Sequence, residues 1–217
     1  MDLVKQIIEN GIAAVIRGAQ LDTIIPIAEA LLKGGVKTIE ITVETPGAIH
    51  VIEKAATELG DEMLIGAGTV LDPETARVAI MAGSRFIFSP AVNLETIKIA
   101  KRYGVACIPG ALTPTEILTA YENGADLIKV FPANVFGPRY LRDIHGPLPH
   151  IPLMPTGGVN IENVGDYIQA GAAAAGIGSS LVNIKNWGQK TFLEDIEQKA
   201  ARLMETVKKS RSLLQKV

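Results

Sequence analysis

Tyr121-Glu122-Asn123-Gly124-Ala125, followed after Asp126 by Leu127-Ile128-Lys129-Val130-Phe131-Pro132, reads as a helix that ends and a strand that begins. Glycine commonly sits where a helix stops in a left-handed turn. Alternation along the apolar run places Leu127, Lys129 and Phe131 on one face and Ile128 and Val130 on the other. Lys129 is thus a charged amine inside an apolar run. Burial strips water from an ammonium and favours the neutral amine. The neutral amine attacks carbonyl carbon, and Schiff-base chemistry needs that form. Taken alone, the segment also allows a lysine that snorkels to solvent from a strand end.

The same punctuation recurs along the chain. Lys33-Gly34-Gly35-Val36, Met81-Ala82-Gly83-Ser84 and Gln169-Ala170-Gly171-Ala172 each close a helix and lead into a strand. The candidate strands are Ile12–Arg17, Thr38–Glu44, Met63–Thr69, Phe86–Pro90, Ala106–Ala111, Leu127–Pro132, Leu153–Gly158 and Ala174–Ser179. Amphipathic stretches such as Leu21–Lys33, Pro73–Met81, Leu94–Arg102 and Pro114–Glu122 lie between them. Asp72-Pro73-Glu74 supplies an N-cap with proline at the first helical position. Thr113-Pro114-Thr115-Glu116 is a capping box, and Asn93 and Asn160 suit N-caps. These β–α units run on without a linker, so residues 1–217 read as one α/β domain, a (β/α)8 TIM barrel. A doubly wound open sheet is the rival. It would carry a glycine-rich fingerprint in the first βα turn, where Arg17-Gly18-Ala19-Gln20 stands instead. Leu3–Asn10 reads as a short N-terminal helix closing the bottom of the barrel, and the charged, helical tail Thr191–Gln215 as cover for its flank.

Composition narrows the function. Of the 217 residues 47% are hydrophobic and 20% charged, and the net charge is −2. The basic residues are scattered, which argues against nucleic acid or an anionic membrane as partner. No apolar run reaches the roughly 18 residues of a membrane span. Met1–Ile8 is too polar and periodic for a signal peptide. Cys107 stands alone, so neither a disulfide framework nor a zinc cluster is implied, and a reducing cytoplasm is the expected setting. His50, His145 and His150 have no metal-ligand spacing, so structural roles are expected and no metal or cofactor is implied.

In a barrel of this kind the chemistry collects at the carboxyl ends of the strands. The first strand ends on Arg17, in register with Ala13 and Val15. The second carries Glu40, Thr42 and Glu44, with Glu40 opposite Ile39 and Ile41. The third ends at Thr69, the fourth at Ser89-Pro90 and the fifth near Pro109-Gly110. Desolvation between two isoleucines raises a carboxyl pKa, which suits a general acid/base. The plainer alternative is a carboxylate neutralised by a structural cation. Gly157-Gly158 and Gly178-Ser179, after the last two strands, can bring backbone N–H groups to a phosphate. They can equally make tight turns. Arg17 can hold a second anion, such as a substrate carboxylate, through its planar fork, or form a surface salt bridge. Together these residues describe a phosphorylated oxo-acid site with a Schiff-base lysine.

The sequence resembles the KDPG/KHG aldolase family (2-keto-3-deoxy-6-phosphogluconate and 4-hydroxy-2-oxoglutarate aldolases). The matching pieces are Gly35–Thr42, Gly66–Val70, Ser89-Pro90, Pro109-Gly110, Lys129–Ala133, Gly146-Pro147, Pro155–Val159 and Ile177–Ser180, in family order. The resemblance implies a metal-free (β/α)8 barrel, commonly a homotrimer, that cleaves a phosphorylated 2-keto acid to pyruvate and an aldehyde. It implies that Lys129 forms the Schiff base and Glu40 shuttles protons. Thr69 would hold the pyruvate end, Phe131 would pack on the reacting carbons, and Pro90 would line the substrate site. Gly157, Gly158, Gly178 and Ser179 would hold the phosphate, with Thr156 beside them. The family often continues Glu-x-Thr-x-Arg, whereas Glu44 occupies that arginine position here. Arg17 is therefore expected to anchor the substrate carboxylate. An aldolase for the galactonate-derived phosphate is a near alternative. A phosphosugar isomerase or epimerase, and a non-catalytic sugar-phosphate binder, are more distant ones.

Overall fold

The computed structural model describes residues 3–214. Parallel strands alternate with helices along the whole chain. The strands are β1 (Ile12–Ile16), β2 (Thr38–Thr42), β3 (Leu64–Gly68), β4 (Phe86–Phe88), β5 (Ala106–Ile108), β6 (Gly110–Ala111), β7 (Ile128–Val130), β8 (Leu153–Pro155) and β9 (Ala175–Ile177). The helices are α1 (Leu3–Asn10), α2 (Ile24–Lys33), α3 (Ala48–Leu59), α4 (Pro73–Met81), α5 (Leu94–Arg102), α6 (Pro114–Glu122), α7 (Gly137–His145), α8 (Val164–Gln169) and α9 (Phe192–Leu214). Gln215, the last residue of the expected tail helix, lies outside the described residues, as do Met1 and Asp2.

The sheet is curled and parallel, but it is not one uninterrupted eight-stranded ladder. Six strands pair in the order β5-β4-β3-β2-β1-β9, and three in the order β6-β7-β8. The expected strand Ala106–Ala111 is split at Pro109 into β5 and β6. Proline has no N–H to give the ladder. Its carbonyl still accepts from the Lys129 N–H at 2.9 Å. At the other junction Pro155 ends β8, and only an isolated bridge between Thr156 and Gly176 links that sheet to β9.

Two apolar cores lie on either side of the strands. Ile39, Ile41, Ile128 and Val130 belong to the larger one, packed under the helices. Ala13, Leu64, Phe86, Phe88, Ile108, Leu127 and Met154 fill the smaller one, on the inner face. Ile7 of α1 belongs to this inner core, with Leu3 and Val4 beside it, so the leader helix plugs the end where the strands begin. The carboxyl ends are left for a site. On α9, Ile196, Ala200, Leu203 and Val207 are buried at helical spacing, and the helix packs on α2 and α8.

Local signals account for the starts of α4, α5 and α6. Asp72 accepts from the Thr75 N–H, Asn93 accepts from the Thr96 N–H, and Thr113 with Glu116 completes a capping box. Asn160 is not an N-cap. Its side chain accepts from Glu162 N and Asn163 N in the turn that precedes α8. The helix expected over Leu21–Lys33 begins only at Ile24, because Thr23 and Gln20 bond each other in a turn.

Among the described residues no helix is long and apolar enough to cross a membrane. Cys107 is buried in β5, and burial with the neighbouring Asp126 carboxylate pushes its thiol up to about 12. A thiol that stays protonated is a poor nucleophile. Iodoacetamide at about pH 8 should therefore leave Cys107 unmodified in the folded protein and alkylate it in denaturant, which intact mass would read.

Candidate active site

Among the described residues only two charged side chains are buried, Glu40 and Lys129. Both lie on the inner face of the strands. Their neighbours Ile39, Ile41, Ile128 and Val130 point the other way, into the outer core. Lys129 Nζ stands 3.8 Å from Glu40 Oε1, with the side chains 7% and 1% exposed. This is an ion pair too long for a direct hydrogen bond. Lys129 Nζ also lies 5.3 Å from the ring centres of Phe88 and Phe131. The two aromatic rings exclude water around it.

Small residues make the space. Thr42 pairs with Gly68 across β2 and β3, and the Glu40 side chain leans over that glycine. A Cβ on Gly68 would sit 1.8 Å from Glu40 Oε1, so only glycine admits the carboxylate. Burial pushes the Glu40 carboxyl above its ordinary value. The charges of Lys129 and Arg17 oppose that rise, and Glu44 adds to it. The second carboxylate oxygen, Glu40 Oε2, and the Thr156 hydroxyl are both buried without a hydrogen-bond partner. Unpartnered buried oxygens are costly, and they are common where a ligand completes the bonding.

Both groups open on one cavity of about 600 Å³ at the carboxyl ends of the strands. The residues given catalytic or substrate-binding roles in the sequence line it: Lys129, Glu40, Arg17, Thr69, Pro90, Phe131, Thr156, Gly157, Gly158, Gly178 and Ser179, whereas Thr42, Glu44, Ser89, Pro109 and Gly110 do not. Thr69, just past β3, has φ 59 in the left-handed region that a β-branched residue rarely adopts. Such a residue costs about 1–3 kcal/mol and is held only where its surroundings demand it. Gly157 and Gly158 have φ of 90 and 75, conformations open to glycine. Among the described residues no regular helix starts directly behind these glycine pairs. After β8 the next regular helix begins at Val164, and β9 is followed by a short 3-10 turn over Ile184–Asn186.

Arg17 forms the salt bridge that one of its two sequence readings expects. Its side chain lines the cavity, yet is 65% exposed and ion-paired to Glu44. Asn160, Asn183 and Lys185 also line the cavity and were not legible as site residues. Lys185 lies beyond β9 on a 3-10 turn that carries no periodic signal. The histidines stay outside. His145 Nε2 is 3.3 Å from the Ile151 carbonyl oxygen, His150 packs edge-on to Tyr121, and His50 pairs with Glu53.

A sequence model of the KDPG and KHG aldolases matches residues 4–198. The chain belongs to the KDPG and KHG aldolase family. It is an aldolase, a carbon–carbon lyase of the Schiff-base class. It is 38% identical over 169 residues to the 2-dehydro-3-deoxy-6-phosphogalactonate aldolase of Escherichia coli, a match spanning 77% of this chain and 82% of the relative. It is 40% identical over 146 residues to the 2-dehydro-3-deoxy-phosphogluconate aldolase of Pseudomonas aeruginosa, spanning 67% and 66% of the two chains. Among solved structures, a KDPG aldolase from Legionella pneumophila superposes with a TM-score of 0.76 at 31% identity, covering 91% of this chain and 92% of that one. Pyruvate was captured in that protein as a covalent carbinolamine. In this aldolase the elevated Glu40 carboxyl should place the acidic limb of kcat/KM above the 4.5 of an ordinary glutamate. A pH–rate profile checks this, and in Glu40→Gln that limb should flatten.

Proposed function

We propose that this chain cleaves 2-keto-3-deoxy-6-phosphogluconate to pyruvate and glyceraldehyde 3-phosphate, with 4-hydroxy-2-oxoglutarate as a further substrate. The observation that carries this reading is the buried amine of Lys129 beside the buried carboxyl of Glu40 at the floor of a cavity. Lys129 Nζ attacks the C2 ketone of the substrate. Glu40 donates a proton as the carbinolamine loses water, which leaves an iminium. The Glu40 carboxylate then takes the C4 hydroxyl proton, directly or through a water. The C3–C4 bond breaks, its electron pair flows into the iminium, and the aldehyde leaves. The remaining enamine is protonated at C3, and water releases pyruvate from Lys129.

The other lining residues divide by place. Phe131 packs on the reacting carbons and Thr69 holds the pyruvate end. Arg17 meets the C1 carboxylate, and Pro90 shapes the wall between them. Gly157, Gly158, Gly178 and Ser179 hold the phosphate, with Thr156 beside them. The galactonate-derived phosphate is the second reading, since the Escherichia coli relative is named for it and differs in substrate only by stereochemistry.

The wider architecture follows the same proposal. Residues 1–217 form one catalytic domain. The two parallel sheets act as a single (β/α)8 barrel, supported by chain continuity through Pro109 and the bridge between Thr156 and Gly176. A cytoplasmic setting suits the lone buried thiol of Cys107. The working assembly is a homotrimer. Leu71, Val78 and Met81, at and before α4, are half-exposed or more and supply apolar surface for it. Light scattering at micromolar concentration should return three chain masses; a monomer would exclude the trimer.

Borohydride reduction with pyruvate should leave a pyruvate-derived adduct on the peptide containing Lys129. Lys129→Ala should abolish both adduct and turnover, a loss on the order of 10³-fold or more. Near-normal turnover in that variant would overturn the mechanism. A wild-type protein that turns over substrate without any adduct would point to an isomerase-type reaction with Glu40 as base.

A further inference from the structure

Three cations are found among the residues lining the cavity: Lys129, Lys185 and Arg17. Lys129 is committed to the ketone. Lys185 lies in the turn beyond β9, on the side of Gly178 and Ser179 where the phosphate is placed. Arg17 is left for the C1 carboxylate. It directly follows β1, whose Val15 pairs with Glu40 and whose Ile16 pairs with Ile41. The guanidinium is already engaged, however. Its Nη1 donates to Glu44 Oε1, and this is its one ion pair among the described residues. Glu44 leaves the end of β2 beside it, 36% exposed and outside the cavity lining.

We propose that Glu44 is an internal competitor for Arg17, a carboxylate of this chain that sets how tightly the carboxylate end of the keto-acid donor is held. The inference rests on the aldolase reading above. One guanidinium fork matches one carboxylate bidentately. A substrate carboxylate must either displace Glu44 or share the fork against its negative charge. The apparent affinity for a carboxylate donor therefore falls by the fraction of Arg17 that Glu44 occupies. Both partners are partly in water, so the pair is worth no more than about 1 kcal/mol, which corresponds to an occupancy of roughly half to four-fifths and a penalty of about two- to five-fold. A ketone with no charge at C1 escapes it. Glu44 thus tunes affinity at the donor end without touching the reacting atoms.

The test compares pyruvate with pyruvamide, which has the same ketone and methyl group but no C1 charge. Deuterium exchange into each methyl group, followed by NMR, reads imine and enamine formation. In Glu44→Gln the half-saturation ratio of pyruvate to pyruvamide should fall by about two- to five-fold. Glu44→Ser, which removes the carboxylate with a smaller side chain, should move the ratio the same way. Arg17→Gln should raise it. A ratio that stays constant or rises in both Glu44 variants overturns the proposal. Wild-type protein that exchanges neither donor would overturn the aldolase reading itself, so the two failures are distinguishable.

Discussion

A carboxylate and an amine are buried together on the inner face of a parallel sheet, and much of the molecule is arranged to make that tolerable. Taking two charges out of water costs several kcal/mol per ion, and removing one partner of such a pair typically costs about 3–5 kcal/mol. Glu40 and Lys129 lie 3.8 Å apart, so each offsets the other, while Phe88 and Phe131 flank the amine. The arrangement is stable enough to exist, and it is poised. Burial holds the Glu40 carboxyl above its ordinary value, within reach of proton transfer. The same desolvation that makes the pair expensive makes it chemically useful.

The inner face is filled unevenly, and the unevenness explains where the site is. Toward the strand beginnings, Leu64, Phe86, Leu127 and Met154 pack with Ile7 of the leader helix into a dry core. On β3 and β9 several positions are glycine and give space to neighbouring side chains. Gly66 yields to the Phe86 ring, Gly68 to the Glu40 carboxylate and Gly176 to the Thr156 side chain. The cavity opens among Arg17, Lys185 and the loops after β8 and β9. Strain accompanies it at Thr69, a β-branched residue held at positive φ on the cavity wall.

Much of this was legible in the chain. The bounds of α4, α5 and α6 follow from Asp72-Pro73, Asn93 and Thr113-Pro114, because caps are local chemistry. The inward direction of Lys129 and Glu40 follows from strand alternation, and the structure places their neighbours in the opposite core. Other features were not legible. The split of the fifth strand at Pro109 depends on which neighbour needs the missing N–H. Asn160 looks like a helix cap, but the backbone it bonds lies in a turn. Lys185, Asn183 and Asn160 reach the cavity from loops without periodicity, so no pattern marked them.

The sequence by itself determined the alternation of strands and helices, the bounds of α4, α5 and α6 and the inward face of Lys129 and Glu40. These follow from hydrogen bonds and alternation within a few residues. It also determined the family, since the segments around Glu40 and Lys129 carry that signal residue by residue. Tertiary structure alone decided the 3.8 Å between Lys129 and Glu40, which belong to distant strands brought together by the curl of the sheets. It alone paired Arg17 with Glu44, turning an isolated acidic departure from the family pattern into half of an ion pair. Distances between remote groups depend on register and crossover geometry, which are properties of the whole packed core and of no single stretch of chain.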